Sequence, residues 1–584
     1  MRRGVIVVVI LISIAMVVSL GGLLVLSAFV SAPPTVPSSA TLYLPLRAPF
    51  AEVESFDFFS QLTARPATLR LTIESIQKAK VDSRVKALVI TPSATGAMWA
   101  QLQEVRAAIE DFKKSGKPVT AYLEFGGGQE YYLASAANRI VMMPAGQLDL
   151  TGLATYELFF RGTLDKLGVT PDLLHIGDYK TAANTFTEKG FTKAHLEMSQ
   201  SLNKDWFDEM VRGIAAGRKK SVEEVRKLID EGPFLAEAAK KAGLIDQLAY
   251  EDQLDDEKPI AGTQRLEVST YLQAPVSLGK YGPGRIALLY ATGTIASGSS
   301  SFDGTTGLVI GSETFATWLR KVRIDPSVKA VVVRIDSPGG SAIASEVMWR
   351  EIMLTREKMP VIVSMGDVAA SGGYYIAAPA HVIVAEPGTI TGSIGVVTGK
   401  FVLGGAMEKL GIGTGSVGEG RNAEIYSPFR AFTAPERARI DEMMQATYEL
   451  FLSRVVEGRK SQRDKIHAVA QGRVWTGHQA LERGLVDEIG GLDRAIQIAK
   501  EKAKLDVNQI VDMVIYPQKP SLFDILANPL GTGTSMGLEL LLPRHDTRAR
   551  EAAAAAQTIE STAKTLSLFH RGESLLLMPN VFVR

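Results

Sequence analysis

The chain contains no cysteine in 584 residues. This excludes disulfide scaffolds, thiol nucleophiles, Cys-ligated zinc and iron–sulfur clusters, so any nucleophile must be an oxygen or an amine. A surplus of charge is missing as well. Lys plus Arg number 64 against 63 Asp plus Glu, a formal charge of +1, which gives no chain-wide attraction for nucleic acid or anionic lipid. No nucleic-acid partner is expected. Histidine is scarce, with seven residues and neither an HExxH pattern nor a close ligand cluster. No metal is indicated, and no other cofactor. The 46% hydrophobic and 22% charged fractions are those of packed globular protein, which disfavours collagen, global disorder and a polytopic membrane protein. At roughly 100–200 residues per domain, the length implies several domains.

One long apolar run opens the chain. After Arg2 and Arg3 no charged side chain appears until Arg47, and Gly4 to Val30 is apolar enough to span a bilayer. About 20 apolar residues cross the hydrocarbon layer, whereas a leader-peptide core needs only about 7–15. Residues 1–32 therefore read as one transmembrane anchor. The small residues at Val30-Ser31-Ala32 keep a cleaved leader as the competing reading. The paired arginines favour a cytoplasmic N-terminus, with the body on the far face of the membrane. Residues 33–40, with Pro33, Pro34 and Pro37, form a short tether.

The body repeats itself with a period near 243. Val81-Asp82-Ser83-Arg84-Val85-Lys86-Ala87 matches Ile324-Asp325-Pro326-Ser327-Val328-Lys329-Ala330, Tyr131-Tyr132-Leu133-Ala134 matches Tyr374-Tyr375-Ile376-Ala377, and Gly243-Leu244-Ile245-Asp246 matches Gly484-Leu485-Val486-Asp487. Two homologous domains follow, 41–255 and 283–503, with 256–282 as linker and 504–584 as a tail. Ala552 to Ala556 and its flanks suggest one exposed or loosely docked helix in that tail. Inside each repeat, short apolar runs such as Val331 to Val333, Val361 to Val363 and Val382 to Val384 read as buried strands separated by amphipathic segments. Such alternation indicates βαβ units and a largely parallel sheet, an α/β fold. Glu436 to Arg459 reads as a long helix.

Two glycine-rich turns in the second repeat could carry chemistry: Ser337-Pro338-Gly339-Gly340-Ser341 and Ala369-Ala370-Ser371-Gly372-Gly373. Each follows a strand and precedes a helical pattern. Such turns can aim backbone amides at one point, where they would stabilise an oxyanion, or they can simply allow tight strand–helix packing. The first repeat has lost the pattern. The offset maps Gly339-Gly340 onto Gly96-Ala97, and Ser371 onto Gly128 or, with a one-residue slip, Gln129.

These turns, the apolar N-terminal run, the duplication and Thr391-Gly392-Ser393-Ile394-Gly395-Val396 resemble the long, tandem-domain form of the signal peptide peptidase A (protease IV) family, in the Clp protease/crotonase-like superfamily. The resemblance covers nearly the whole chain. It implies two tandem Clp protease/crotonase-like domains and a Ser/Lys dyad, with Ser371 as nucleophile. The general base on that pattern is Lys180, in Gly177-Asp178-Tyr179-Lys180. Aligning Gly177 with Gly420 puts Ala423 opposite Lys180, so each repeat would hold one half of a single site. Gly340 and Gly372 are the expected oxyanion donors. Ser393 would orient the lysine, or else cap a helix. A free lysine titrates near ~10.4, so Lys180 must be buried to act as a base.

The resemblance further implies a serine endopeptidase for extended hydrophobic peptides such as released signal peptides, acting as a homotetramer on the bacterial cytoplasmic membrane. An acyl-thioester enzyme of the crotonase type and a non-catalytic peptide-binding membrane scaffold are the alternatives. A hydrolase elbow around Ser371 would need a downstream Asp and His; His467 and His478 exist but lie in the repeated helical region. Asp336 reads as a turn or capping carboxylate.

Overall fold

The computed structural model describes residues 35–53, 68–93, 96–276, 279–303, 307–518, 574–578 and 582–583. The expected anchor at 1–32 and the expected helix around Ala552 lie outside them. Among the described residues no helix is long and apolar enough to cross a membrane.

The repeat is visible as two similar α/β layers. In the first sheet the strands Arg139–Asp149, Val119–Gly127, Val85–Ser93, Ala40–Arg47 and Gln264–Glu267 lie side by side in that order, all parallel. The second sheet places Ile390–Gly392, Val361–Ala370, Val328–Ser337, Tyr281–Thr292 and Ile510–Tyr516 in the same sequence of positions. Each central strand is covered on both faces, which is why it reads as an unbroken apolar run rather than an alternating one. Val331, Val332 and Val333 are all fully buried, as are Val361, Ile362 and Val363. The long helix spans Ala434–Arg459 and its counterpart Lys193–Arg218. Equivalent tyrosines tie equivalent helices down: Tyr131 donates to Leu244 O (2.6 Å) and Tyr374 to Leu485 O (2.9 Å). The ring of Tyr375 packs on Phe451 of the long helix.

Two expected boundaries move. The stretch 256–282 is not a free linker, because Gln264–Glu267 pairs with Ala40–Arg47 and Tyr271 is fully buried with its hydroxyl on Asp82. The tail likewise returns to the body. Ile510–Tyr516 forms the edge of the second sheet, the same place that Gln264–Glu267 holds in the first. Gln264–Glu267 does not stand out in the sequence because it is short and polar, whereas Ile510–Tyr516 is an apolar run whose place in the sheet is hidden because it lies where the repeat ends.

A third, mixed sheet joins the two repeats. Its order is Ser301–Asp303, Gly307–Gly311, Thr294–Ala296, Gly339–Ser341, Leu575–Leu577, Val396–Val402 and Thr170–Ile176. The last two strands pair antiparallel along seven residues, Val396↔Ile176 to Val402↔Thr170. Thr170–Ile176 belongs to the first repeat and leads straight into Gly177 and Lys180. This sheet is what carries the lysine to the second repeat.

The candidate active site

Ser371 sits between the buried strand Val361–Ala370 and the helix Gly372–Ala377. Its backbone is held at φ 57° and ψ −113°, far from strand or helix values. A non-glycine residue in that region costs of order 1–3 kcal/mol and persists only where the surroundings impose it. Here Ser371 N–H donates to Gly392 O (2.8 Å), and Ser371 O accepts from Tyr375 N–H (2.8 Å). The bend lifts the side chain off the sheet end. The hydroxyl nonetheless remains fully buried.

Lys180 comes from the other repeat. Its Nζ stands 2.7 Å from Ser371 Oγ, 2.8 Å from Ser393 O and 3.0 Å from Ser393 Oγ. The residue is fully buried, and among the described residues no carboxylate shares its surroundings to hold the ammonium form. Burial alone therefore drives its pKa well below the ordinary lysine value. Ser393 presents two oxygens to the amine. It does not cap a helix: it is followed by the strand Val396–Val402, with φ 52° at Ser393 itself.

Backbone contacts fix the lysine. Tyr179 N–H donates to Gln471 O (3.0 Å) and Lys180 N–H to Gly177 O (3.0 Å). Gly472, at φ 80°, lies so close that a Cβ there would overlap the Lys180 nitrogen and Cα. The Gln471-Gly472 turn, between the helix Arg463–Val469 and the strand Val474–Thr476, is a contact that the sequence did not reveal; its one local signal is the glycine. Arg473 adds a rim around it, with its guanidinium 4.6 Å from the Tyr179 ring and an ion pair to Glu197 (2.7 Å).

The two glycine turns converge. A Cβ on Gly372 would stand 3.2 Å from Gly340 N and 3.1 Å from Gly339 Cα. The amides of Gly340 and Gly372 thus border one small space beside Ser371. Asp336 braces the arrangement by accepting from Val368 N–H (3.0 Å). Burial, with Glu52 nearby, pushes its carboxyl up to about 7. It makes a turn contact, as its position implied. Neither histidine enters the site: His467 faces Tyr448 and His478 faces Asp205. Ala423, the expected counterpart of Lys180, lies in an exposed turn.

The repeats are locked together around this centre. Arg334, fully buried in the second, forms ion pairs with Glu52 (2.8 Å) and Glu104 (2.6 Å) of the first. Gly388 N–H donates to Gln103 Oε1 (2.7 Å), and Trp206 Nε1 to Gly388 O (3.0 Å).

Comparison with known proteins agrees with this geometry. The model of peptidase family S49 matches residues 111–260 and 353–506, one stretch in each repeat. The chain is similar to the chloroplastic serine protease SPPA of Arabidopsis thaliana, 37% identical over 478 residues, 79% of this chain and 69% of the relative. It is similar to Protease 4 of Salmonella typhi, 33% identical over 527 residues, covering 85% and 81%. A putative signal peptide peptidase SppA of Enterococcus faecium is 33% identical over 201 residues, 34% of this chain and 58% of the relative. The acyl-thioester and scaffold alternatives give way: this chain belongs to peptidase family S49, and it is a serine endopeptidase.

Proposed function

We propose that Ser371 is the nucleophile and Lys180 the general base of a dyad assembled between two Clp protease/crotonase-like repeats. The observation that carries this is the 2.7 Å approach of Lys180 Nζ to Ser371 Oγ in a fully buried setting. A neutral amine has two N–H groups and one lone pair. Ser393 O and Ser393 Oγ can accept both hydrogens, leaving the lone pair for the Ser371 proton. Ser371 Oγ would then attack the peptide carbonyl, with the oxyanion on the Gly340 and Gly372 amides. The lysine, now protonated, would hand its proton to the leaving amine, and water would complete the cycle through the same base.

The substrates we infer are extended hydrophobic peptides, signal peptides released in the membrane among them. An enzyme anchored through residues 1–32 of the cytoplasmic membrane, its body outside the cytoplasm, would meet them at that interface. The relative of Enterococcus faecium named as a putative signal peptide peptidase supports this class.

The assembly we infer is the homotetramer that the family resemblance implies, and the repeat suggests how its copies would pair. Within one chain, Thr170–Ile176 pairs with Val396–Val402 of the other repeat. Shifted by the repeat period, Thr170–Ile176 falls on the exposed, unpaired stretch 413–419, flanked by exposed Leu410 and Ile412. Pairing of that stretch with the first repeat of the next copy would reproduce the internal contact head to tail, a contact that closes into a ring when its rotation divides the full turn. Light scattering in mild detergent tests this, with a monomer as the opposing outcome.

The central test is hydrolysis of a fluorogenic hydrophobic peptide across pH by the protein and its Ser371→Ala and Lys180→Ala variants. Loss of activity in both, with labelling of Ser371 by a serine-directed electrophile in the unsubstituted protein, supports the dyad. An active Lys180→Ala variant would remove the lysine from the chemistry.

A further inference from the structure

Arg473 stands where the nucleophile turn, Ser393 and the lysine loop come together. Its main chain serves the second repeat. Arg473 O accepts from Ser393 N–H (2.8 Å), and the adjoining Gly472 N–H donates to Ile394 O (2.8 Å). A Cβ on Gly392 would stand 3.0 Å from both Arg473 O and Trp475 Cδ1. These two residues therefore seat the glycine whose carbonyl holds Ser371 N–H.

The side chain of Arg473 serves the first repeat. Its guanidinium lies over two rings, 4.6 Å from the centre of Tyr179 and 4.5 Å from that of Trp475, and Nη1 pairs with Glu197 Oε1 (2.7 Å). Glu197 sits on the helix Lys193–Arg218 and also accepts from the Tyr179 hydroxyl (3.2 Å). Arginine, carboxylate and phenol thus close a triangle on Tyr179, the residue next to Lys180. A planar guanidinium suits this place, since its faces can stack on rings while its edge bonds a carboxylate.

The arginine is peculiar to the repeat that faces the lysine. Val474–Thr476 pairs antiparallel with Ile390–Gly392 in the second repeat, as Phe234–Leu235 does with Arg139–Asp149 in the first. The glycine ahead of each strand is kept, as Gly472 and Gly232, but Pro233 stands where the second repeat has Arg473. Neither the turn nor the sheet therefore demands an arginine. What the second repeat has in addition is a lysine loop to hold.

We propose that Arg473 is a positioning residue for the reaction: its guanidinium clamps Tyr179, with Glu197 as counter-ion, and so keeps the Lys180 amine on Ser371 and Ser393. What is positioned is the Ser371/Lys180 pair, so this role rests on that reading. Arg473 acts through the chain and not through its field. Among the described residues the amine bonds only to Ser371 and Ser393, and burial alone lowers its pKa. Arg473 beside Glu197 holds that carboxyl below the usual carboxylate range, with Tyr179 and Lys193 adding to the effect, so Glu197 stays ionised at neutral pH.

The test compares Arg473→Met, Arg473→Lys, Glu197→Gln and Lys180→Ala with the unsubstituted full chain, reading kcat, KM and the pH dependence of kcat/KM on a fluorogenic hydrophobic peptide. A loosened lysine loop admits water to the amine and raises its pKa. The rising limb of the Arg473→Met profile should therefore move up by about one pH unit, while kcat at pH 7 falls about thirtyfold and KM stays within about twofold. Arg473→Lys should fall between Arg473→Met and the unsubstituted enzyme, because an ammonium can pair with Glu197 but lacks the planar fork. Glu197→Gln, at an exposed position, should shift the limb the same way by a smaller amount, and it guards against misfolding of the Arg473 variants. An unmoved limb in both Arg473→Met and Glu197→Gln, beside an inactive Lys180→Ala, would overturn the clamp and leave the dyad standing. A raised KM with kcat and the limb unchanged would do the same, because Arg473 would then be a substrate contact. An active Lys180→Ala would remove the dyad and the clamp with it.

Discussion

The backbone of Lys180 rests against Gly472, which leaves no room for even a methyl group between them. The two residues come from different repeats. The lysine proposed as general base is thus positioned by main-chain contact across the domain boundary. Gly472→Ala should push the lysine loop away from Ser371 while leaving both sheets intact. A displacement of about 1 Å at a reacting group can cost roughly 100-fold in rate. The expected outcome is a kcat lower by about two orders of magnitude with unchanged circular dichroism, measured on a hydrophobic peptide.

Members of a catalytic unit are not individually dispensable. Ser371→Ala and Lys180→Ala should each reduce kcat by about 10⁴-fold or more, and the double variant should be little worse than either. Lys180→Arg should not rescue, because a guanidinium remains protonated at any accessible pH. Parallel kcat measurements on the four proteins check this.

The buried lysine also makes a signed prediction for pH. Its folded-state pKa is lowered well below that of the unfolded chain, so between the two values the unfolded state binds the extra proton. Stability therefore rises with pH across that window, and the contribution is complete only above the unfolded value near ~10.4. Lys180→Met should lack this dependence and should be the more stable protein at neutral pH, the difference shrinking as pH approaches 10. Urea denaturation at several pH values measures it. In the unsubstituted enzyme, kcat/KM should rise with an inflection well below 10.

Ser393 holds the amine with two oxygens, only one of which belongs to its side chain. Ser393→Ala removes the hydroxyl and keeps the carbonyl. At about 0.5–1.5 kcal/mol for one hydrogen bond, kcat should drop roughly 3–10-fold, with the activity inflection shifted and KM unchanged. A pH–rate profile distinguishes this from simple misfolding.

Arg334 neutralises Glu52 and Glu104 inside the domain interface. Arg334→Met would leave both carboxylates buried without a cation, a cost of about 3–5 kcal/mol. A melting temperature lowered by several degrees, together with loss of activity as the repeats loosen, is the expected result in calorimetry and peptide hydrolysis.

Much of this molecule was written in its sequence by itself. The duplication, the buried strands around Val331 and Val361, the long helix to Arg459 and the serine in its glycine turn are local patterns, set by apolar periodicity and by the need for a sharp strand–helix bend. Lys180 was singled out by resemblance and by the complementary losses in the two repeats, since nothing local separates a catalytic lysine from a solvated one. What only the tertiary structure decided is where segments meet. Gln471-Gly472 against Lys180, Gln264–Glu267 and Ile510–Tyr516 as sheet edges, and Leu575–Leu577 across the glycine turn are all pairings between backbones far apart in the chain. Main-chain hydrogen bonds are chemically the same for nearly every residue. A contact made through them leaves little mark on the amino-acid types that make it, and so becomes visible only when the chain is folded.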